Sequence, residues 1–256
     1  MRRNMICHDL VRPPWVLGSL ENVVRTRVKF CGLVESADLD CAVRLGVDAI
    51  GFVLWPRSPR ALTVEQAAAL RRRLPSWVLA VGLVVNARPV EIADAVSGIG
   101  LDVVQFHGDE TPQECGLSPI AWWRAVRMRS ANDLAQALGH YPQAEALVLD
   151  AFSDAYGGSG HSFDWNWVRG DPESAAKGSG PARILSGGLH GGNVREAIDK
   201  VRPDWVDVSS GIQVEGAPRR KSESRMQDFM SQVRAADCAA DCAVPLGSQQ
   251  IALSDD

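Results

Sequence analysis

From Val28 onward, short apolar runs alternate with segments whose apolar positions recur every three or four residues. The runs are apolar at almost every position, which is typical of parallel strands that are covered on both faces. About eight such runs predict eight strands, namely RVKFCGL, DAIGFVL, VLAVGLVV, DVVQFHG, AWWRAVRM, EALVLDA, ARILSGGL and WVDVSSGI.

The segments between these runs carry the start and stop signals of helices. Ser36, Thr63 and Thr111 are predicted N-caps, and Gly46 and Gly100 are predicted helix ends. About eight strand-and-helix units in roughly 200 residues predict an α/β fold, a single-domain (β/α)8 TIM barrel. A doubly wound open sheet, the alternative, usually has only about five to seven strands.

The barrel does not account for either end of the chain. We expect residues 28–235 to form the barrel and residues 1–27 to be an N-terminal extension. Residues 236–256 lose the amphipathic period and are predicted to be a disordered or loosely docked tail. The first residues are too interrupted by charges and prolines to form the apolar region of a signal peptide.

Composition narrows the class of protein. The chain has 256 residues, 46% of them hydrophobic, so it can bury a core without disulfides or metals. Its net charge of −4, with both signs interspersed, argues against nucleic-acid and membrane partners. The six cysteines are scattered and lack zinc-ligand spacing, which predicts no metal site and a reduced, cytoplasmic location.

In a TIM barrel the active site forms where the strands end, so polar residues that close an apolar run are the candidates. Asp150 is the strongest one, because an aspartate after ALVL is costly to bury without a partner, although it could simply cap a loop. An isolated cysteine such as Cys31 is more often a small buried hydrophobe. The candidate set is Cys31, Arg60, His107, Asp150, Gly187, Gly188, Asp207, Ser209, Ser210 and Gly211.

Two strand ends suggest the substrate class. Gly-Gly after strand seven is by itself most simply a tight turn, but SSG follows strand eight, and small residues let backbone N–H groups approach a phosphate. We therefore expect a small phosphorylated substrate. Arg60 is either a solvated surface residue or a bidentate ligand for a carboxylate. His107 is more simply a hydrogen-bonded wall residue than a base.

Two further features have simple structural explanations. Residues 157–160, GGSG, form either a flexible linker or a loop that closes over the substrate. Trp165 and Trp167 are most simply explained by packing of a helix against the barrel.

The motifs together resemble those of the phosphoribosylanthranilate isomerase family. They are VKFCGL, GFVLWPRSPR, VGLVVN, VVQFHGDE, LVLDA followed by GGSGHSFDW, SGGL with a later Asn-Val, and DVSSGI. Found in this order between Val28 and Arg234, they form a specific set. The resemblance implies a (β/α)8 barrel and an aldose–ketose isomerase of tryptophan biosynthesis that needs no cofactor.

That family carries out an Amadori rearrangement, and the resemblance implies roles for individual residues. Asp150 would be the general acid that opens the ribose ring, and Cys31 the general base that removes the C2′ proton. Cys31 would have to be partly thiolate, helped by positive potential at the barrel mouth. Arg60 would hold the anthranilate carboxylate. The phosphate would be held by Gly187, Gly188, Ser210 and Gly211.

Some positions depart from the family pattern. Gln213 replaces an expected glutamate, APRRKS replaces an APGxKD-like segment, and Ser186 replaces an alanine. Two other functions remain open, a barrel that isomerises another aminoaldose phosphate and a non-catalytic ligand-binding barrel. Aminoaldose isomerases of the histidine pathway typically use two aspartates, whereas here a cysteine ends the first strand. Both a monomer and a homodimer are compatible with the sequence.

Overall fold

A computed structural model describes residues 25–151, 162–168 and 180–242. Eight parallel strands close into a barrel in chain order, which confirms the predicted TIM barrel. The strands are β1 (Arg27–Cys31), β2 (Ala49–Val53), β3 (Leu79–Val84), β4 (Val103–Phe106), β5 (Trp122–Met128), β6 (Ala146–Ala151), β7 (Ala182–Leu185) and β8 (Trp205–Val208). Pairing of β1 with both β2 and β8 closes the barrel, with Lys29 opposite Asp207.

The strands are buried on both faces, which explains their nearly continuous apolar sequences. Side chains that point into the barrel form a small inner core, with Trp123 and Trp205 in edge-to-face contact at 5.5 Å between ring centroids. The outward-facing side chains pack against the helices in a larger, continuous cluster. The inner core fills the lower barrel, so open space is left for a ligand at the carboxyl ends of the strands.

The helices cover the barrel from outside. They are α1 (Ser36–Leu45), α2 (Val64–Arg71), α3 (Pro89–Ala95), α4 (Pro112–Cys115), α5 (Ala131–His140), α6 (Val194–Val201) and α7 (Glu223–Cys242). A π-helical turn, Val96–Gly100, continues α3. After β8 come a 3₁₀ turn, Ser210–Ile212, and a hairpin of β9 (Gln213–Val214) and β10 (Ala217–Lys221). Within the described ranges no helix is long and apolar enough to cross a membrane.

Most of the predicted helix boundaries are confirmed. Thr63 and Thr111 form capping boxes at the starts of α2 and α4, and Gly46 ends α1 with φ of +85°. The prediction for Ser36 is wrong. Ser36 is the first helical residue, and extended Glu35 occupies the N-cap position without a side-chain cap bond.

We expect Thr63→Ala to lower the free energy of unfolding by about 1 kcal/mol, because the capping box would lose the bond from the Gln66 N–H to Oγ1 of Thr63 at 3.2 Å. Urea unfolding followed by circular dichroism measures the change. Thr63→Ser keeps the hydroxyl and is the control. A loss of equal size in both variants would contradict the capping explanation.

The sixth unit is irregular. Between β6 and β7 the structure describes residues 162–168 alone, and these include a 3₁₀ turn, Trp165–Val168. Trp165 and Trp167 pack against the outer core, and Trp167 also stacks on Phe163, so the packing interpretation is confirmed. The predicted linker or closing loop at residues 157–160 lies outside the described residues.

The last helix extends beyond the predicted end of the barrel. Helix α7 continues to Cys242, past residue 236, where the tail was predicted to begin. The polar residues that interrupt the apolar period are themselves used for docking. Asp237 accepts hydrogen bonds from the backbone N–H and the hydroxyl of Thr26 at 3.1 and 2.8 Å, which joins α7 to the start of the barrel. Residues 1–24 and 243–256 lie outside the described residues.

Candidate active site

A cavity of about 280 Å³ opens at the carboxyl ends of the strands. Nine of the ten predicted site residues line it: Cys31, Arg60, His107, Asp150, Gly187, Gly188, Asp207, Ser209 and Ser210. The tenth, Gly211, lies behind this lining, where a Cβ would come within 1.9 Å of the Leu189 carbonyl oxygen. The structure therefore brings the predicted set together, while the role of each residue remains a prediction.

The side chains of Lys29 and Cys31 point into the barrel because they alternate with Val28 and Phe30 along β1. The neighbouring strand makes room for both at Gly51, where a Cβ would lie 2.8 Å from Cys31 Sγ and 3.2 Å from Lys29 Cε. Cys31 is only 6% exposed. The period-two pattern of β1 thus places a buried thiol at the base of the cavity, with a lysine beneath it.

Lys29 is a site residue that the sequence analysis missed. Its side chain is fully buried, and Nζ donates to Asp207 Oδ2 at 2.8 Å. Burial works to lower the pKa of Lys29, but Asp207 and Cys31 outweigh it and raise the pKa. The other carboxylate oxygen of Asp207, Oδ1, is buried without a hydrogen-bond partner in the described structure. A lysine two residues before Cys31 on the same face was the available signal.

Burial and positive charge act in opposite directions on the Cys31 thiol. Burial raises the pKa of the Cys31 thiol, although the ammonium groups of Lys29 and Lys221 act to lower it. The two lysines supply the positive potential that is expected at the barrel mouth. Burial opposes this attraction, because removing a thiolate from water is costly, and the ionisation of Cys31 during the reaction stays a prediction.

A raised pKa predicts that Cys31 is protected from alkylation. We expect iodoacetamide to modify Cys31 much more slowly than an exposed cysteine at neutral pH, and faster as the pH rises, since the thiolate is the reacting form. Peptide mass spectrometry across a pH series measures this, with the exposed Cys238 as an internal control. Reaction of Cys31 at pH 7 as rapid as that of Cys238 would contradict the raised pKa.

Asp150 ends β6 on the other side of the cavity from β1. The carboxyl group is largely buried, and Oδ1 accepts a hydrogen bond from the Ala151 N–H at 3.0 Å. Oδ2 lies 3.3 Å from His107 Nε2, and His107 Nδ1 lies 3.3 Å from Gln105 Nε2. His107 is therefore a hydrogen-bonded wall residue, as predicted, and it holds Asp150 in one orientation.

The two loops after β7 and β8 depend on glycine. Gly187 and Gly188 have φ of +79° and +65°, and a Cβ at Gly187 would lie 2.5 Å from the Ala151 nitrogen. Asn193, just before α6, anchors this loop, since its Nδ2 donates to the Gly188 carbonyl at 3.0 Å. The result is a close approach of backbone from two loops at one side of the cavity, which suits an anionic group.

Arg60 reaches the cavity from the loop after β2. Its Cδ fills space left by Gly32, where a Cβ would lie 2.5 Å away. Nη2 donates to Gln213 Oε1 at 2.6 Å, whereas Nε is buried without a partner in the described structure. Burial lowers the pKa of Arg60. Gln213, noted only as a departure from the family pattern, thus orients the guanidinium as a neutral acceptor.

The described residues contain no cluster of three or more histidine, cysteine or acidic side chains that could hold a metal ion. The cavity lining brings together two titratable side chains, Cys31 and Asp150, the guanidinium of Arg60 and the glycine-rich loop after β7. Such an arrangement is suited to proton transfer on a small anionic molecule.

Known proteins are similar to this chain in both sequence and fold. A family profile described as "N-(5'phosphoribosyl)anthranilate (PRA) isomerase" matches residues 28–232. An N-(5'-phosphoribosyl)anthranilate isomerase from Methylibium petroleiphilum is 47% identical over 214 residues, which cover 84% of this chain and 96% of that protein. The corresponding protein from Ralstonia nicotianae is 44% identical over 226 residues, covering 86% and 97%.

Solved structures agree with these sequence matches. Phosphoribosyl anthranilate isomerase from Thermotoga maritima superposes with a TM-score of 0.73 at 36% identity, covering 82% of this chain and 99% of that one. A structure of phosphoribosyl anthranilate isomerase in complex with reduced 1-(o-carboxyphenylamino)-1-deoxyribulose 5-phosphate has a TM-score of 0.70 at 34% identity, with the same coverage. The chain therefore belongs to the N-(5′-phosphoribosyl)anthranilate isomerase family of tryptophan biosynthesis.

Proposed function

We propose that this isomerase uses Asp150 as its general acid and Cys31 as its general base. The reaction converts N-(5′-phosphoribosyl)anthranilate into 1-(2-carboxyphenylamino)-1-deoxyribulose 5-phosphate. The observation that carries the proposal is the placement of the two side chains at the ends of β6 and β1, on different walls of a single cavity. A substrate that lies across this cavity can contact both groups at once.

The acid acts first. The Asp150 carboxyl group donates its proton to the ribose ring oxygen, the bond from C1′ to that oxygen breaks, and a protonated Schiff base forms. His107 holds the carboxyl group in place, and the bond from the Ala151 N–H fixes its other oxygen. Asp150 is therefore already oriented before the substrate arrives, which reduces the entropy lost in reaching the reactive geometry.

The base acts second. The Cys31 thiolate takes the proton from C2′, and the electron pair of that C–H bond neutralises the Schiff base to give an enolamine. The enolamine then becomes the ketone by losing the proton of its O2′ hydroxyl and gaining one at C1′. Lys29 and Lys221 favour the thiolate electrostatically, in opposition to burial.

The two ends of the substrate carry negative charge, and two parts of the cavity complement them. Arg60 binds the anthranilate carboxylate, and the backbone around Gly187, Gly188, Ser210 and Gly211 binds the phosphate. Ser209 and Asp207 also line the cavity. The unpartnered Oδ1 of Asp207 accepts a hydrogen bond from a ribose hydroxyl, which would satisfy a buried acceptor.

An assay with the purified protein tests the proposed function against its alternatives. Phosphoribosylanthranilate is fluorescent, and its consumption is followed by loss of that fluorescence. We expect steady turnover without an added metal or cofactor. Protein that is folded but leaves the fluorescence unchanged would support a non-catalytic barrel. Faster turnover of a histidine-pathway aminoaldose phosphate would instead favour the other isomerase.

We also infer the setting in which the enzyme acts. A free cysteine that serves as a base requires a reduced compartment, so we assign the enzyme to the cytoplasm. A related structure is described as mutually generated monomers of the dimeric enzyme from Thermotoga maritima. A monomer and a homodimer both remain compatible with this chain, and sedimentation of the purified protein distinguishes them.

A further inference from the structure

Lys221 is a buried lysine that the proposed mechanism does not place in contact with the substrate. It ends β10, and its side chain lies behind the loop that follows β8. The residue is 3% exposed, and its backbone N–H donates to Asp38 Oδ2 at 2.7 Å. This bond ties the end of the hairpin to helix α1 and leaves the lysine little freedom to move.

The ammonium end of Lys221 is connected to both sides of the site. Nζ donates to the Ser209 carbonyl at 2.8 Å and lies 3.4 Å from Ser209 Oγ. Ser209 Oγ in turn donates to the Cys31 carbonyl at 2.9 Å. A single serine thus links Lys221 to the strand end that carries the thiol, and the next residue, Ser210, lines the cavity.

The two buried lysines of the site differ in their charge partners. Lys29 is paired with Asp207 at 2.8 Å. For Lys221, no carboxylate lies within 4.0 Å of Nζ among the described ion pairs, so the charge of its ammonium group is not neutralised by direct contact. A buried ammonium without a counter-ion is costly, and an anion placed nearby would remove much of that cost.

The charged groups around Lys221 act in opposite directions. The pKa of Lys221 is lowered to about 7, chiefly by burial and next by Arg60, while Cys31 of β1, Asp207 of β8 and Asp38 of α1 act to raise it. Lys221 therefore changes charge near neutral pH. A phosphate dianion at the β8 loop would shift this balance strongly toward the charged form.

We propose that Lys221 is a positioning residue that holds the Ser209 carbonyl and takes up a proton when an anionic substrate occupies the cavity. The charged lysine then supports the phosphate loop from behind and, through space, favours the Cys31 thiolate. This inference rests on the proposed position of the phosphate. The charge of Lys221 acts to lower the pKa of the Cys31 thiol, in opposition to burial.

Isothermal titration calorimetry measures the number of protons that the protein takes up when a ligand binds. The probe is reduced 1-(o-carboxyphenylamino)-1-deoxyribulose 5-phosphate, and the titration is repeated in buffers that differ in ionisation enthalpy. At pH 7.5 we expect uptake of roughly 0.5 to 1 proton per bound ligand. At pH 6 the uptake should disappear or change to a release, because Lys221 is already charged and the ligand phosphate, with a second pKa of about 6, loses a proton when it binds as the dianion. The titrations are repeated with Cys31→Ser, because in the wild type a proton released from the Cys31 thiol would cancel part of the proton uptake by Lys221.

Substitutions of Lys221 test whether this residue, rather than another group, takes up the proton. Lys221→Met and Lys221→Gln should lose the uptake, whereas Lys200→Met, which removes an exposed lysine, should keep it. For the wild type, Kd should rise up to about tenfold from pH 7.5 to 8.5, because each bound ligand must bring a proton. For both Lys221 variants Kd should stay nearly constant over this range. A purely structural role would not produce that difference.

The outcomes distinguish this inference from the proposed function. Binding by the wild type without proton uptake, or unchanged uptake in Lys221→Met, overturns the role of Lys221 and leaves the isomerase proposal intact. Failure of the wild type to bind the probe at all counts against the proposed phosphate site. If both variants fail to fold by circular dichroism, the wild-type pH series still decides, since pH-independent uptake contradicts the proposal.

Discussion

Asp150→Asn should lower kcat by about 10³-fold, because the amide has no acidic proton to give to the ribose ring oxygen. The substitution is nearly isosteric. The amide oxygen can still accept from the Ala151 N–H, and the amide nitrogen can donate to His107 Nε2 if that nitrogen is unprotonated. We therefore expect the fold to be retained and KM to change less than tenfold.

Steady-state kinetics with phosphoribosylanthranilate measure this effect, and circular dichroism checks the fold. Asp199→Asn is the matched control, since Asp199 is exposed on α6, and its activity should equal that of the wild type. An Asp150→Asn enzyme with more than a tenth of wild-type kcat would remove Asp150 from the role of general acid.

Cys31→Ser should also lower kcat by about 10³-fold. A serine hydroxyl is far less acidic than a thiol and cannot serve as the anionic base that removes the C2′ proton. The side chain is small and buried next to Gly51, so the hydroxyl fits the space of the thiol without displacing Lys29. We expect KM to remain within a few-fold of the wild-type value.

The control for Cys31→Ser is Cys41→Ser, which makes the same change at another buried cysteine, on α1 and outside the cavity. Its stability can fall, but kcat per folded molecule should not. The pH dependence of kcat gives an additional test, since the activity of the wild type should rise with pH through the neutral range as the thiolate fraction of Cys31 grows. A Cys31→Ser enzyme that retains substantial turnover would require another base in the cavity.

Gln213 and Lys221 make contacts in the site that local sequence does not predict. Both lie in the segment after β8 that departs from the family pattern. In the structure Gln213 orients Arg60 by a bond of 2.6 Å, and Lys221 donates to the Ser209 carbonyl. Neither contact could be read from local sequence, because Gln213 and Arg60 are 153 residues apart and the hairpin has no strong periodic signal.

The sequence by itself determined the barrel and the location of the site. The alternation of apolar runs with helical segments predicts eight parallel strands, and parallel strands place their carboxyl ends at one face of a barrel. Cys31 and Asp150 each close such a run, so their presence in one cavity follows from chain pattern alone. The N-caps Thr63 and Thr111 were likewise predictable, because a capping box involves residues only three positions apart.

Only the tertiary structure decided the electrostatics of that cavity. The ion pair of Lys29 with Asp207 joins β1 to β8, whereas no described ion pair involves Lys221. The protonation of Cys31 depends on how far burial outweighs these two lysines. Burial and the distances between charges depend on segments that are remote in the sequence. The motifs can therefore identify Cys31 as the predicted base, but its pKa is set only in the folded chain.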